Sequence, residues 1–276
     1  MGSDWFRTYT SAEGRPVGPG TAARLVCFPH AGGAASAYVR LARRLAPDVE
    51  VLSVQYPGRQ DRRHEEPVAD IGRLADALAE EVVRHVPGSY AFFGHSMGAL
   101  VAHETARRLH ERGAPAPARL FLSARGAPGA GPGPHDRIGT DAELLAVAAR
   151  LGGTASHLLD DPEVRDMVLP ALRADYRALA GHVGAPGPRL RLPFTVLIGD
   201  RDPVVTVDEA AAWHELTAAD AELLVFEGGH FYLDDHLDDI ARIVGAALTG
   251  PARAVAPDRP SAYAGTPHTG SGGTWS

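Results

Sequence analysis

Six short apolar runs, each followed by a stretch with helical periodicity or a loop, limit what this chain can fold into. The runs are "RLVCF" (24–28), "VEVLSV" (49–54), "YAFF" (90–93), "RLFLS" (119–123), "FTVLI" (194–198) and "ELLVF" (222–226). They are too short for helices and too continuously apolar for strands with one wet face, so they read as buried strands. Helical patterns cover 36–45, 70–86, 97–112, 207–216 and 237–248. Such alternation implies an α/β fold, a mostly parallel central sheet with helices on both faces. Ligands then sit at the carboxyl ends of the strands, in the loops that follow.

One connection breaks the rhythm. Between "RLFLS" and "FTVLI" lie roughly seventy residues, far more than one crossover helix needs. The segment opens on the Gly/Pro-rich "RGAPGAGPGPHDR" (125–137) and continues with helical patterns at 141–152, 155–160 and 161–182. Pro170 is expected to kink or break the last of these. A helical insertion over about 130–187 at the carboxyl edge of the sheet is a candidate lid. The plainer reading is a set of helices that only adds core. The expected organisation is a single domain over 1–249 carrying this insertion. The remaining 250–276, rich in Pro, Gly, Ser and Thr, is an expected disordered tail.

Charge and cysteine content exclude some functions. The formal net charge is −7, which argues against a nucleic-acid binder, because phosphate contacts need a basic surface. Cys27 is the only cysteine, so no internal disulfide can form. The first residues, "MGSDWFRTYTSAEGRP", lack the apolar core of a signal peptide, and no run reaches the ~18 apolar residues of a membrane span. A cytoplasmic protein without membrane contact is expected.

Gly94-His95-Ser96-Met97-Gly98 fits G-x-S-x-G, with a strand before it and a helix after it. In that context the serine is a nucleophile on a strand-to-helix turn too tight for a Cβ two residues to either side. Its base should come from a loop at the same sheet edge. His230, after two glycines in the loop that follows "ELLVF", is the candidate; the plainer reading is a surface or capping histidine. The base needs a carboxylate to fix its tautomer. "GDRDPVV" offers Asp200 and Asp202, and Asp202 is favoured because it lies farther into the loop, before Pro203. Asp200 would then brace the loop. The order Ser, acid, His is that of α/β-hydrolases. The oxyanion donors should be the N–H of Met97 and one from the loop "FPHAGGAASAY", with Ala31 the candidate. Asp234, Asp235, Asp238, Asp239 and His236 read as the first turn of the last helix rather than as a metal site.

Taken together, "LVCFPHAGGAASAY", "VQYPGRQDRRHEEP", "FFGHSMGALVAHETARRL", "DYRALAGH", "GDRDPVV" and "GGHFYLDD" resemble the type II (external) thioesterases of polyketide and nonribosomal peptide synthetases. The resemblance runs from about residue 24 to 245. It implies an α/β-hydrolase fold with a helical lid and a triad of Ser96, Asp202 and His230. It also implies oxyanion donors at Ala31 and Met97, and no metal or cofactor. "LAGH" departs from the family where an aromatic is expected after "DYRA". The implied reaction is hydrolysis of acyl thioesters from the phosphopantetheine arm of acyl or peptidyl carrier proteins, clearing blocked synthase modules. A monomer is expected. Arg59, Arg62 and Arg63 are candidates for a rim that meets an acidic carrier. The alternatives are a carboxylesterase or lipase of the same fold, and a hydrolase-like binding protein without turnover.

Overall fold

The computed structural model describes residues 3–9, 23–129, 133–137, 139–151, 161–184 and 187–250. Seven strands form one sheet: β1 (Phe6–Thr8), β2 (Ala23–Phe28), β3 (Val49–Val54), β4 (Tyr90–His95), β5 (Leu120–Ser123), β6 (Phe194–Gly199) and β7 (Ala221–Phe226). Their order across the sheet is β1-β3-β2-β4-β5-β6-β7. Every pairing is parallel except that of β1 with β3. The six expected strands are all present. The short edge strand β1 was not anticipated, because three residues are too few to show a period.

The apolar runs alternate by face, as a pleated strand requires. In β4, Tyr90 and Phe92 join one core, while Ala91 and Phe93 join the other. Helices α2 (Ile71–His85) and α3 (Met97–Glu111) cover the first face, and α1 (Val39–Leu45) and α7 (Leu237–Thr249) the second. In α2 the buried residues Ile71, Leu74, Leu78 and Val82 recur at the spacing of one helix face. Asp70 caps its start by accepting the Arg73 N–H at 2.8 Å. A mostly parallel sheet between two helical layers is what the alternation implied. No helix among the described residues is long and apolar enough to cross a membrane.

The long connection leaves β5 and returns to its neighbour β6. It holds α4 (Asp141–Leu151) and α5 (Pro162–Gly181); the helical pattern at 155–160 lies outside the described residues. So does the tail from 251 to 276, for which disorder was expected. A fully buried Trp213 fixes the start of the insertion, its Nε1–H donating to the Arg125 carbonyl at 2.8 Å.

Pro170 does not break α5, which runs on for eleven residues beyond it. Pro170 and Asp166, whose carbonyl loses its intrahelical donor, are both exposed, where a lost bond is open to replacement by solvent. The proline still costs helix stability. Pro170→Ala should raise unfolding free energy by about 1–3 kcal/mol, read as a higher melting temperature. An unchanged or lower melting temperature would mean that the ring shapes α5 in a way alanine cannot.

Candidate active site

Strand β4 ends at His95 and α3 begins at Met97, so one residue makes the whole turn. Ser96 has φ 54° and ψ −120°, a conformation that side-chain-bearing residues rarely adopt. A Cβ on Gly98 would collide with the Phe28 carbonyl oxygen at the end of β2, and one on Gly94 with the Gly98 carbonyl. Only glycine lets the helix start so close to the strands. The Ser96 N–H donates to Ser123 O at 2.8 Å, which pins the strained residue to β5. His95 and Met97 are buried, but Ser96 keeps partial exposure.

The next two strands bring the partners. His230 lies beyond the end of β7 and is 3% exposed. Its Nε2 lies 3.0 Å from Ser96 Oγ and its Nδ1 2.8 Å from Asp202 Oδ2. A carboxylate only accepts, so Nδ1 carries the proton and Nε2 is free to accept from the Ser96 hydroxyl. Asp202 holds its place through its other oxygen, which accepts the Val204 N–H at 2.8 Å. Asp200 points elsewhere: its Oδ1 accepts the Gly228 N–H at 2.8 Å, tying the loop after β6 to the loop after β7. The two carboxylates of "GDRD" therefore have separate tasks, contact with the imidazole and bracing.

Met97 and Ala31 stand beside this array. Met97 opens α3, and Ala31 lies in the loop after β2, against which Gly98 packs. Neither N–H donates to a protein acceptor among the described residues. A cavity of about 350 Å³ lies behind the acid, with Leu100, Ala127, His182, Asp202 and Val204 in its wall. His182, the last residue of "LAGH", belongs to a cavity wall that also contains the Arg125–Asp136 ion pair.

The arginines behave differently from expectation. Arg59 and Arg62 are 6% and 8% exposed and do not form a docking rim. Arg59 is paired with the buried Asp175 of α5. Arg62 pairs with Glu65, donates to the Gln55 carbonyl at 2.9 Å and lies over the Trp5 ring. Delocalised guanidinium groups suit such buried, stacked positions, which a count of charges in sequence does not show. Arg63 alone of the three is exposed. At the far end of the chain, Asp234 and Asp238 face Arg40 and Arg44, and Asp239 faces Arg242.

A family model described as a thioesterase domain matches residues 23–248. The chain belongs to the thioesterase family. Thioesterase PikA5 of Streptomyces venezuelae is 43% identical over 245 residues, covering 88% of this chain and 85% of that one. A probable cadicidin biosynthesis thioesterase of Streptomyces griseus is 45% identical over 244 residues, or 88% of this chain; the match spans 66% of that relative's length. Among solved structures, the type II thioesterase BorB of the borrelidin biosynthetic cluster superposes with a TM-score of 0.80 at 44% identity. That match covers 90% of this thioesterase and 99% of BorB. The resemblance read from the motifs is thus to the right family, and the α/β-hydrolase architecture is that of its structural neighbours.

Behind these residues lie contacts that no motif or spacing in the sequence shows. His95 Nδ1 lies 2.9 Å from Ser123 Oγ, which lies 2.7 Å from Tyr232 OH. His30 packs edge-on against His95 and Phe231. Burial first, then the neighbouring His230 and Arg59, pushes the His30 pKa down to about 3. Burial first, then His230 and His30, holds His95 well below the usual histidine range. Both rings are neutral in the folded chain near pH 7.

Two outcomes follow from this geometry. Gly98→Ala should cost at least about 3 kcal/mol or prevent folding, because the obstacle is strand backbone. A normal melting curve for that variant would contradict the close approach. Stability should also fall with pH. Unfolding frees His30 and His95 to bind protons near ~6.5, so below that pH the unfolded chain holds more protons than the folded one. The loss approaches about 1.4 kcal/mol per pH unit for each ring, and for His30 it continues toward its folded value of about 3. His30→Gln should flatten the melting temperature's dependence on pH between about 6.5 and 4; an unchanged slope would mean that the ring titrates normally.

Proposed function

We propose that the chain is a serine thioesterase that hydrolyses acyl groups from the phosphopantetheine arm of carrier proteins in polyketide or nonribosomal peptide synthesis. The carrying observation is the continuous chain of contacts Ser96 Oγ, His230, Asp202, at 3.0 and 2.8 Å, built on a strained turn at the carboxyl edge of the sheet. The thioesterase family and relatives such as a type II thioesterase from the borrelidin cluster support the reading.

The chemistry follows from the positions. His230 Nε2 takes the Ser96 proton as Oγ attacks the thioester carbonyl. Asp202 stabilises the imidazolium and keeps its orientation. The carbonyl oxygen becomes an oxyanion facing the Met97 and Ala31 N–H groups, to which no acceptor among the described residues is bonded. Collapse of the tetrahedral intermediate expels the pantetheine thiolate. A thiol of pKa near ~8.5 leaves readily, and the imidazolium can give it the proton. Water then enters, loses a proton to His230 and attacks the acyl-serine. Collapse releases the acid and returns the proton to Ser96. No step draws on a metal or cofactor.

The insertion that carries α4 and α5 is the candidate lid. It leaves β5 at the carboxyl edge of the sheet, the edge that bears Ser96 and Asp202, and there it can shape access for a long thin arm before crossing to the start of β6. Exposed docking charge must come from residues other than Arg59 and Arg62.

Ser96→Ala should lower kcat/KM on an acyl-carrier substrate by at least ~10³-fold. Asp202→Asn should cost at least ~10²-fold, whereas Asp200→Asn should chiefly lower the melting temperature. If only the Asp200 variant were inactive, the acid would be misassigned. Rates on acyl-pantetheine and its matched oxygen ester separate a thioesterase from a general esterase; parallel rates would favour the esterase.

A further inference from the structure

The oxyanion loop is held from a distant part of the chain. Residues 29–33 form a tight turn in which the Gly33 N–H donates to His30 O at 2.9 Å. That bond is local. Two longer-range contacts hold the turn's backbone: the Pro29 carbonyl accepts the Tyr56 hydroxyl at 3.4 Å, and the carboxylate of Asp175, on α5, accepts the Gly32 N–H through Oδ2 at 2.6 Å. Asp175 is 1% exposed, and both its oxygens meet Nη2 of the buried Arg59. The Arg59 guanidinium in turn lies 4.7 Å from the centre of the Tyr56 ring. The helix presses on the same glycine a second time: a Cβ on Gly32, which sits at φ +73°, would lie 2.9 Å from Leu172 Cδ1.

A buried ion pair is a poor device for stability, since apolar residues of the same shape often serve as well or better. Its value here is geometric. The peptide plane that holds the Gly32 N–H also holds the Ala31 carbonyl, so anchoring it fixes the ψ angle of Ala31. With the His30–Gly33 bond closing the other side, the Ala31 N–H is left a single direction. Oxyanion donors work over a window of a few tenths of an ångström, and a small misplacement forfeits much of their effect.

We propose that Asp175 is a positioning residue that sets the oxyanion loop through Gly32, so that the seating of α5 and the competence of the Ala31 donor are one event. The inference rests on the proposed serine mechanism.

Two double variants isolate the bond from the charge. Both Arg59→Met/Asp175→Asn and Arg59→Met/Asp175→Leu remove the ion pair, but only the first keeps an oxygen for the Gly32 N–H. Turnover of an acyl-pantetheine and the rate of Ser96 labelling by a fluorophosphonate are measured on each, with a melting curve. The Asn variant should stay within about fivefold of the parent in kcat. The Leu variant should lose about 10–100-fold in kcat and in labelling rate, with KM within about threefold. Equal kcat and labelling in the two folded variants would overturn the proposal, as would a loss confined to KM. If either lacks a cooperative transition, Asp175→Asn and Asp175→Ala are compared by the same criteria. Failure of the parent to label at Ser96 would instead sink the serine mechanism, leaving a different cause for any effect of Asp175.

Discussion

No side chain fits between the first turn of α3 and the strands it leaves. That close approach, enforced where Gly98 meets the Phe28 carbonyl, decides where everything else must stand. It forces Ser96 into its strained conformation and points the free N–H groups of the helix start at the same place as the hydroxyl. It also sets the end of β2, and so the start of the loop after it, against the turn at Ser96. On the proposed mechanism, two separate requirements of acyl transfer, a nucleophile and an oxyanion site, are met by one packing constraint.

The contact of Asp202 with His230 depends on a second coupling, between adjacent strands. β6 and β7 pair along their whole length, from Phe194 with Ala221 to Gly199 with Phe226. The loops they release therefore start side by side. Asp200 joins those loops by accepting the Gly228 N–H, which leaves Asp202 and His230 free to meet over the sheet edge. A carboxylate used for bracing and a carboxylate used for the imidazole stand two residues apart, and their backbone surroundings alone separate them.

Much of this was legible in the sequence because it is local. Strand and helix positions follow from apolar periodicity, and the turn at Ser96 from two glycines at fixed offsets. The preference for Asp202 over Asp200 followed from depth in the loop. What was not legible depends on residues far apart in the chain. Arg59 reads as surface charge until α5 delivers Asp175 to it, 116 positions later. The contact of His95 with Ser123, and of Ser123 with Tyr232, likewise joins three elements with no shared spacing. Of the two outcomes expected at Pro170, a kink or a break, the break does not occur, because the ring and the carbonyl it deprives of a donor both lie on an exposed side of α5. β1 was invisible for want of length.

The insertion departs from one strand and comes back to the very next, so beyond the minimum that a parallel crossover needs, the sheet places no demand on how long it is or what it contains. Its helices can be lengthened, shortened or resculpted by evolution without shifting the register of β5 on β6. The attachment of α5 at Gly32 is of another kind, since it reaches the loop beside the nucleophile. On the proposed positioning role, a change around Leu172 or Asp175 would reach the loop beside Ser96, whereas a change elsewhere in the insertion need not.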